Sequence, residues 1–411
     1  MTANTNYCQF HVQFLIFIFA LLILGKASAQ PAKNAGKFLG NITTMGQVRT
    51  DFTDYWNCIA GENECQWLSI EQQRNKMVWT GADRIAAYAR EKNIPWRFHS
   101  LFTSGNYPAW MANLPDTALL REIGEWMDSA AARYPDVTMV DVFNESNAYN
   151  LPAIFKTALG GNGVTGFDWA IKAFTMARQR WPHALLCYND YNNIEYESSI
   201  TWTIDLVTAL QQANAPIDII GCEANFVTKI ATATVKANID RIAGLGLPVH
   251  ISAFEVGSNN DSTQAGIMRE KFTMFWNHPK VIGVTYWGYV VGQTWRDGTG
   301  LLTREGVERP ALIWLKDFVK NNPDPPNDFP DLFDPPTTAK YSAMHAPVRA
   351  NTFLEIGANA CAVFDLQGRC VGRFDQRISS NRHTMASTLY VVRFTGATGY
   401  PVFFSGTLRL K

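Results

Sequence analysis

Eight short apolar runs recur along the first three quarters of this chain, and amphipathic stretches separate most of them. The runs are KFLGNI (37–42), YWNCIA (55–60), WRFHSLF (96–102), TMVDVFN (138–144), ALLCYND (184–190), DIIGCEA (218–224), VHISAFEV (249–256) and VIGVTYWG (281–288). Between them, stretches such as GADRIAAYAREKN (81–93) and GFDWAIKAFTMARQRW (166–181) carry apolar residues at helical spacing. Strands buried on both faces read as continuous apolar runs, and parallel neighbours need a crossover helix. Eight such units within residues 37–288 predict an α/β fold closed as a (β/α)8 TIM barrel. A doubly wound sheet would share the alternation, but no glycine-rich dinucleotide fingerprint follows the first run.

Beyond the eight units, NNPDPPNDFPDLFDPPTT (321–338) packs six Pro and four Asp into eighteen residues. That density excludes a helix or inner strand and predicts a stiff, extended linker. It divides a barrel over 37–320 from a small domain over 339–411. The tail holds CAVFDLQGRC and LYVVRFTG, β-branched and aromatic runs broken by Gly, and predicts a small all-β unit. At the other end, VQFLIFIFALLILG (12–25) is too short to span a bilayer comfortably and precedes Ala27-Ser28-Ala29, a small-residue cleavage pattern. Residues 1–29 are therefore expected to be a signal peptide, although their n-region carries no Lys or Arg. The mature protein is expected outside the cell or at its surface, with no membrane attachment after cleavage.

Export sets the expectation for cysteine. Cys8 leaves with the peptide, and in an oxidising compartment Cys58–Cys65 and Cys361–Cys370 are expected as local disulfides. Cys187 and Cys222, inside apolar runs, are expected as buried thiols. No spacing resembles a zinc site, so neither metal nor cofactor is expected. With 36 basic and 36 acidic residues the net charge is zero, which gives no long-range pull toward nucleic acid or an anionic membrane. The 13 Trp are more informative, because surplus indoles suit flat, weakly polar ligands such as sugars.

Function in such a barrel sits at the C-terminal ends of the strands. Read in order, those ends offer Glu62 and Asn63, His99, Asn144 and Glu145, Asn189 and Asp190, Glu223 with Asn225, Glu255, and Trp287. Carboxylates, amides, one imidazole and an indole make a cup for a neutral polyhydroxylated ligand. A phosphate would call instead for Arg, Lys or a glycine cradle. Any one of these residues alone reads as a solvated loop polar; seven polar strand ends together do not.

At these positions the chain resembles glycoside hydrolase family 10, the β-1,4-xylanases. The resemblance spans about 37 to 320 and rests on GENECQW (61–67), RFHSL (97–101) with YPAW (107–110), DVFNE (141–145), YNDYN (188–192), IDIIGCEANF (217–226), PVHISAFEV (248–256) and GVTYWGYVVGQTW (283–295). It implies that Glu145 is the general acid/base and that Asn144 hydrogen-bonds the 2-hydroxyl of the sugar being cleaved. Glu62 and Asn63 match groups that hold the non-reducing side of the chain, and His99 matches the histidine of the cleavage subsite. Trp287 matches the indole under that sugar, and Trp295 a second wall. The implied partner is β-1,4-xylan or xylo-oligosaccharides.

The same resemblance exposes a departure. The family's seventh strand ends in Thr-Glu-x-Asp, with Glu as covalent nucleophile; here the stretch is Ser252-Ala253-Phe254-Glu255, so the nucleophile position is Ala253. The family histidine that bonds the nucleophile is Asn225, and the nearby glutamine is Glu223. A lysine, a tryptophan and a glutamine of the surrounding loops align with Gln66, Thr103 and Asn106. Two readings follow. In one, another carboxylate takes over, either Glu255, which shares strand parity with Ala253, or Glu223 on the neighbouring strand. In the other, the protein binds xylan without cutting it. The tail, through VFDLQGRCVG and LYVVRF, weakly resembles C-terminal modules that mark bacterial polysaccharide-degrading proteins for secretion or surface attachment. A small carbohydrate-binding module is the alternative.

Overall fold

The computed structural model describes residues 30–147, 150, 153–330 and 332, together with the backbone of four strands between 360 and 409. All eight expected runs form strands: β1 (Phe38–Ile42), β2 (Cys58–Ala60), β3 (Trp96–Phe98) with β4 (Phe102–Thr103), β5 (Met139–Asn144), β6 (Leu185–Tyr191), β7 (Ile219–Ala224), β8 (Val249–Phe254) and β9 (Val281–Tyr286). Every neighbouring pair is parallel, and β1 closes the ring on β9 from Phe38↔Gly283 to Asn41↔Tyr286. The third stave is split. Both β3 and β4 pair with β5, and across the gap Leu101 N–H donates to Asp141 O at 2.9 Å. Nine segments thus make eight staves of a (β/α)8 barrel.

Strand alternation separates two cores. Leu39, Ile59, Phe98, Val140, Leu186, Ile220, Ile251 and Val284 join the apolar layer between barrel and helices. The helices meet them with small and apolar stripes: Thr80–Lys92 buries Ala82, Ile85, Ala86 and Ala89, and Asp168–Arg180 buries Trp169, Ala170, Ala173, Phe174 and Ala177. The alternate residues fill the barrel, and several are polar. Phe38 packs edge-on to His250 at 4.8 Å, and His250 Nε2 lies 2.9 Å from Thr285 Oγ1. Gly283 has no Cβ because the Phe38 ring occupies that space.

β8 carries an irregularity that matters for the site. It pairs with β7 at Cys222↔Ile251 and then at Glu223↔Ala253, and with β9 at Ile251↔Val284 and then at Phe254↔Tyr286. The additional residue in this bulge re-aims the side chains after it.

Two sequence expectations are corrected. Cys58 and Cys65 are both free and buried, as are Cys187 and Cys222. Cys58 lies on β2, and Cys65, in the loop that follows, packs into the hydrophobic core as an apolar side chain. The Pro/Asp-rich stretch does not leave the barrel at 321. Asp328 N–H donates to Pro279 O (2.9 Å), Gly36 N–H to Pro323 O (2.9 Å), and Lys280 pairs with Asp328 (2.9 Å). Residues 323–329 therefore lie against the barrel.

Residues 334–411 form a separate unit. Within it, strands Ala360–Phe364, Cys370–Asp375, Thr384–Phe394 and Val402–Arg409 make an antiparallel sheet in which the second, first, third and fourth lie side by side. The Cys361 and Cys370 side chains, and all of residues 1–29, fall outside the described residues. Among the described residues no helix is long and apolar enough to cross a membrane.

Candidate active site

The C-terminal ends of the strands open into a cleft of about 350 Å³. Its floor is built by β5, β6 and β7. Asn144 ends β5, and Glu145 follows in the left-handed region at φ 55°, held by its N–H donating to Asn189 O at 3.0 Å. A non-glycine residue there is uncommon and needs such support. Asn189 ties the floor together: its Nδ2 donates to Asn144 Oδ1 (2.6 Å) and to Glu223 Oε1 (2.9 Å). It has room because Gly221, beside it on β7, offers no Cβ. Asn225 Nδ2 donates to the other carboxyl oxygen, Glu223 Oε2, at 3.0 Å.

Below the opening, β3 and β5 contribute a buried charge network. Asp141 Oδ2 accepts from Arg97 Nε at 2.7 Å and lies 2.6 Å from His99 Nδ1, while Arg97 reaches across the barrel to Ser252 O at 2.9 Å. Burial alone would raise Asp141, but Arg97 and His99 override it and hold the carboxyl at about 2. Burial, then the Arg97 charge, lowers His99 below its ordinary range, so the ring is a neutral polar wall. Its face meets Trp287 edge-on at 5.2 Å.

The remaining walls are loops. After β2, Glu62, Asn63 and Gln66 line one side, and Gln66 accepts from the Asn106 side chain opposite. Thr103 and Ser104 lie between them. On the far side Trp287 follows β9, and Trp295 stands half exposed at the rim with Arg296 over its ring at 5.7 Å. Ala253 lines the cleft, where its methyl group is the whole side chain.

The structure thus gathers Glu62, Asn63, His99, Asn144, Glu145, Glu223, Asn225, Ala253, Trp287 and Trp295 into one cleft. Glu255 is not among them. β8 ends at Phe254, so the alternation that would align Glu255 with Ala253 stops one residue short. The Glu255 carboxylate is buried against Arg296 at 2.8 Å, behind Trp295. Burial raises it to about 7, against the pull of the Arg296 charge.

Besides Glu62 on the wall, whose carboxyl burial also raises, Glu145 and Glu223 share the buried floor. Burial raises Glu145. Burial, then the charges of Glu145 and Asp190, raises Glu223 well above the carboxylate range, against Arg97 and Asn189. Neighbouring carboxyls in a dehydrated cleft resist ionising together. Such a pair is suited to giving one proton and taking another. Among the described residues no Lys or Arg lines the cleft, which fits a neutral ligand better than an anion.

Arg97 and Asp141 went unremarked as functional residues in the sequence, yet charged residues inside apolar strands are the signal that would have found them.

The sequence profile described as glycosyl hydrolase family 10 matches residues 26–320. Endo-1,4-beta-xylanase B of Cellvibrio japonicus is 41% identical over 282 residues, covering 68% of this chain and 45% of that protein, so the chain spans less than half of that relative. Endo-1,4-beta-xylanase B of Paenibacillus barcinonensis is 24% identical over 280 residues, covering 62% and 84%. Native xylanase 10B from Thermotoga maritima superposes with a TM-score of 0.63 at 20% identity, over 71% of this chain and 97% of that one. A glutamate-to-alanine mutant of xylanase 10C from Cellvibrio japonicus, in complex with xylopentaose, gives 0.62 at 18% identity, over 71% and 69%.

Proposed function

The chain belongs to glycosyl hydrolase family 10, and from that membership we propose that it is a β-1,4-xylan-directed glycoside hydrolase. In this reading Glu145 donates the proton and Glu223 supplies the second carboxylate that position 253 lacks. One observation carries it: Glu223 is the cross-strand partner of Ala253 and shares the buried cleft with Glu145. A glycosidase needs a protonated carboxyl at the leaving oxygen and an ionised one elsewhere in the site. A proton on Glu145 removes one of the charges that raise Glu223, and the amide hydrogens that Asn189 and Asn225 aim at both of its oxygens then favour its anion against burial.

Substrate recognition follows from the walls. Asn144, fixed by Asn189, is positioned to bond a sugar hydroxyl, and the Trp287 and Trp295 indoles offer apolar faces to pyranose rings. Glu62, Asn63 and Gln66 provide hydrogen bonds further along the cleft. Relatives caught with xylobiose and xylopentaose support xylo-oligosaccharides as the ligand class.

The second reading is a non-hydrolytic xylan binder, favoured by Ala253 itself. If losing the usual nucleophile costs roughly 7 kcal/mol of transition-state stabilisation, the rate falls about 10⁵-fold unless another group substitutes. Assays on arabinoxylan alongside calorimetry with xylo-oligosaccharides separate the two. The hydrolase reading expects reducing ends that vanish in Glu145→Gln while binding persists. Binding with no release by the wild type makes the protein a binder. We further propose that residues 1–29 direct export and that 339–411 serve secretion or surface attachment. Deleting 339–411 should abolish release or display without loss of soluble xylo-oligosaccharide binding; unchanged secretion and display would refute that role.

A further inference from the structure

Ala253 leaves room beside a carboxylate that is too far aside to fill it, and the polar atoms around that room are set for water. We propose that hydrolysis proceeds by a single displacement with inversion, through a water seated where residue 253 lacks a side chain, with Glu223 as its base. The proposal rests on the hydrolytic reading above and adds the nucleophile and the stereochemistry.

Three observations converge. First, Ala253 is buried to 4% exposure yet lines the cleft, so only a methyl group stands between β8 and the substrate there. The cleft it opens on, about 350 Å³, has room for a water, which takes up roughly 30 Å³. Second, Glu223 is the register partner of Ala253 on β7, and neighbouring strands lie about 4.8 Å apart. Two amides pin its carboxylate there, from Asn189 at 2.9 Å and Asn225 at 3.0 Å. A carboxylate held one strand to the side is badly placed to bond the anomeric carbon. It is well placed to take a proton from a water between itself and that carbon. Third, Asn225 Oδ1 is buried without a hydrogen-bond partner, and the bond from its Nδ2 to Glu223 fixes which way the amide faces. A buried acceptor left empty is costly. A water here gives one hydrogen to Glu223 and the other to Asn225 Oδ1, which leaves a lone pair for the sugar.

The step balances. The water oxygen bonds the anomeric carbon as the bond from that carbon to the leaving oxygen breaks. Glu145 gives its proton to the leaving oxygen, and Glu223 takes one from the attacking water. One water is consumed and nothing is oxidised. Proton return from Glu223 to Glu145 through solvent resets the pair.

The test is proton NMR of the anomeric signals during the first minutes of xylo-oligosaccharide cleavage by the full chain. The α-anomer should accumulate first, before mutarotation. A β-anomer appearing first overturns inversion while leaving the hydrolytic reading intact. No cleavage of any substrate, with binding preserved, sinks the hydrolytic reading and this step together. Glu223→Ala should lose at least about 10²-fold in rate. Azide, which needs no base, should then restore turnover of an aryl β-xylobioside and give the α-glycosyl azide. No rescue, or a β-azide, refutes Glu223 as base. Ala253→Glu should abolish α-product by occupying the seat; undiminished α-product would show that the water sits elsewhere.

Discussion

Two corners of the same cleft treat buried charge in opposite ways. At the β3–β5 corner, Asp141 is fully buried but answered by Arg97 and His99, so it stays ionised and inert. At the β7–β8 corner, Glu223 is equally buried but faces Glu145 and Asp190 and receives only amide hydrogens. A buried carboxylate with a cationic partner fixes structure, and one without a cation beside a second carboxyl is poised to exchange a proton. Even within the second corner the contrast repeats. Glu255 has Arg296 and lies outside the cleft, whereas Glu223 has no such partner and lines it.

The comparison breaks most visibly through Glu145. Glu145→Gln should lower the rate on xylan by about 10³- to 10⁴-fold, in line with removal of a general acid, and leave xylo-oligosaccharide affinity within a few-fold by calorimetry. A rate that survives would move the proton donor elsewhere. Next comes the paired corner. Asp141→Asn strips the counter-charge from buried Arg97 and should cost about 3–5 kcal/mol of stability, read as a lowered denaturant midpoint. A stability unchanged within about 1 kcal/mol would mean that solvent reaches Arg97 and that the two corners do not differ as argued.

How far the sequence revealed these corners depends on the kind of order involved. The staves were legible because strands covered on both faces are written as unbroken apolar runs. The rim was legible because polar residues interrupt those runs at their C-terminal ends. What escaped was local irregularity. WRFHSLF reads as one strand, yet it divides into β3 and β4 around His99, whose ring turns to Asp141. VHISAFEV reads with even alternation, and the bulge at Ser252 and Ala253 together with the strand end at Phe254 removes Glu255 from the face it was assigned. Proline density excludes helix in 323–329 but says nothing about docking on the barrel, which the hydrogen bonds to Gly36 and Pro279 decide. The spacing of Cys58 and Cys65 permits a bridge, yet both stay buried as free thiols.

A third difference between the corners is their response to pH. Behind the open one, burial raises Asp190 to about 7 and Glu195 to about 8, against the hydrogen bonds that each accepts. Glu195 accepts only long backbone bonds, from Phe226 N at 3.3 Å and Ile194 N at 3.4 Å. Both folded values lie above the unfolded ones, so their stabilising contribution is complete below about pH 4 and is lost as pH rises through 7 to 8. The denaturant-derived stability should therefore fall between pH 5 and pH 8, by about 2–4 kcal/mol for Glu195. Glu195→Gln should flatten that slope. A wild-type profile that rises over the same window would show these carboxyls to be ionised and paired. The Asp141 network contributes the opposite sign: depressed to about 2, it loses its stabilisation only as pH falls from about 4 toward 2.

The smallest effect belongs to the rim, where the second corner meets solvent. Trp295 is 55% exposed, covered on one side by the Arg296 guanidinium and backed by Glu255. Its free face offers one sugar ring a stacking surface worth about 1 kcal/mol, so Trp295→Ala should weaken xylo-oligosaccharide binding about 5- to 10-fold. Because the indole neither gives nor takes a proton in the reaction, the anomer released first should not change. A shift in the stereochemical outcome would mean that the Arg296–Glu255 pair reaches through Trp295 into the chemistry. In that case Glu255 would stand beside Glu223 as an active member of the open corner, and the division between paired and unpaired carboxylates would fail at its most exposed point.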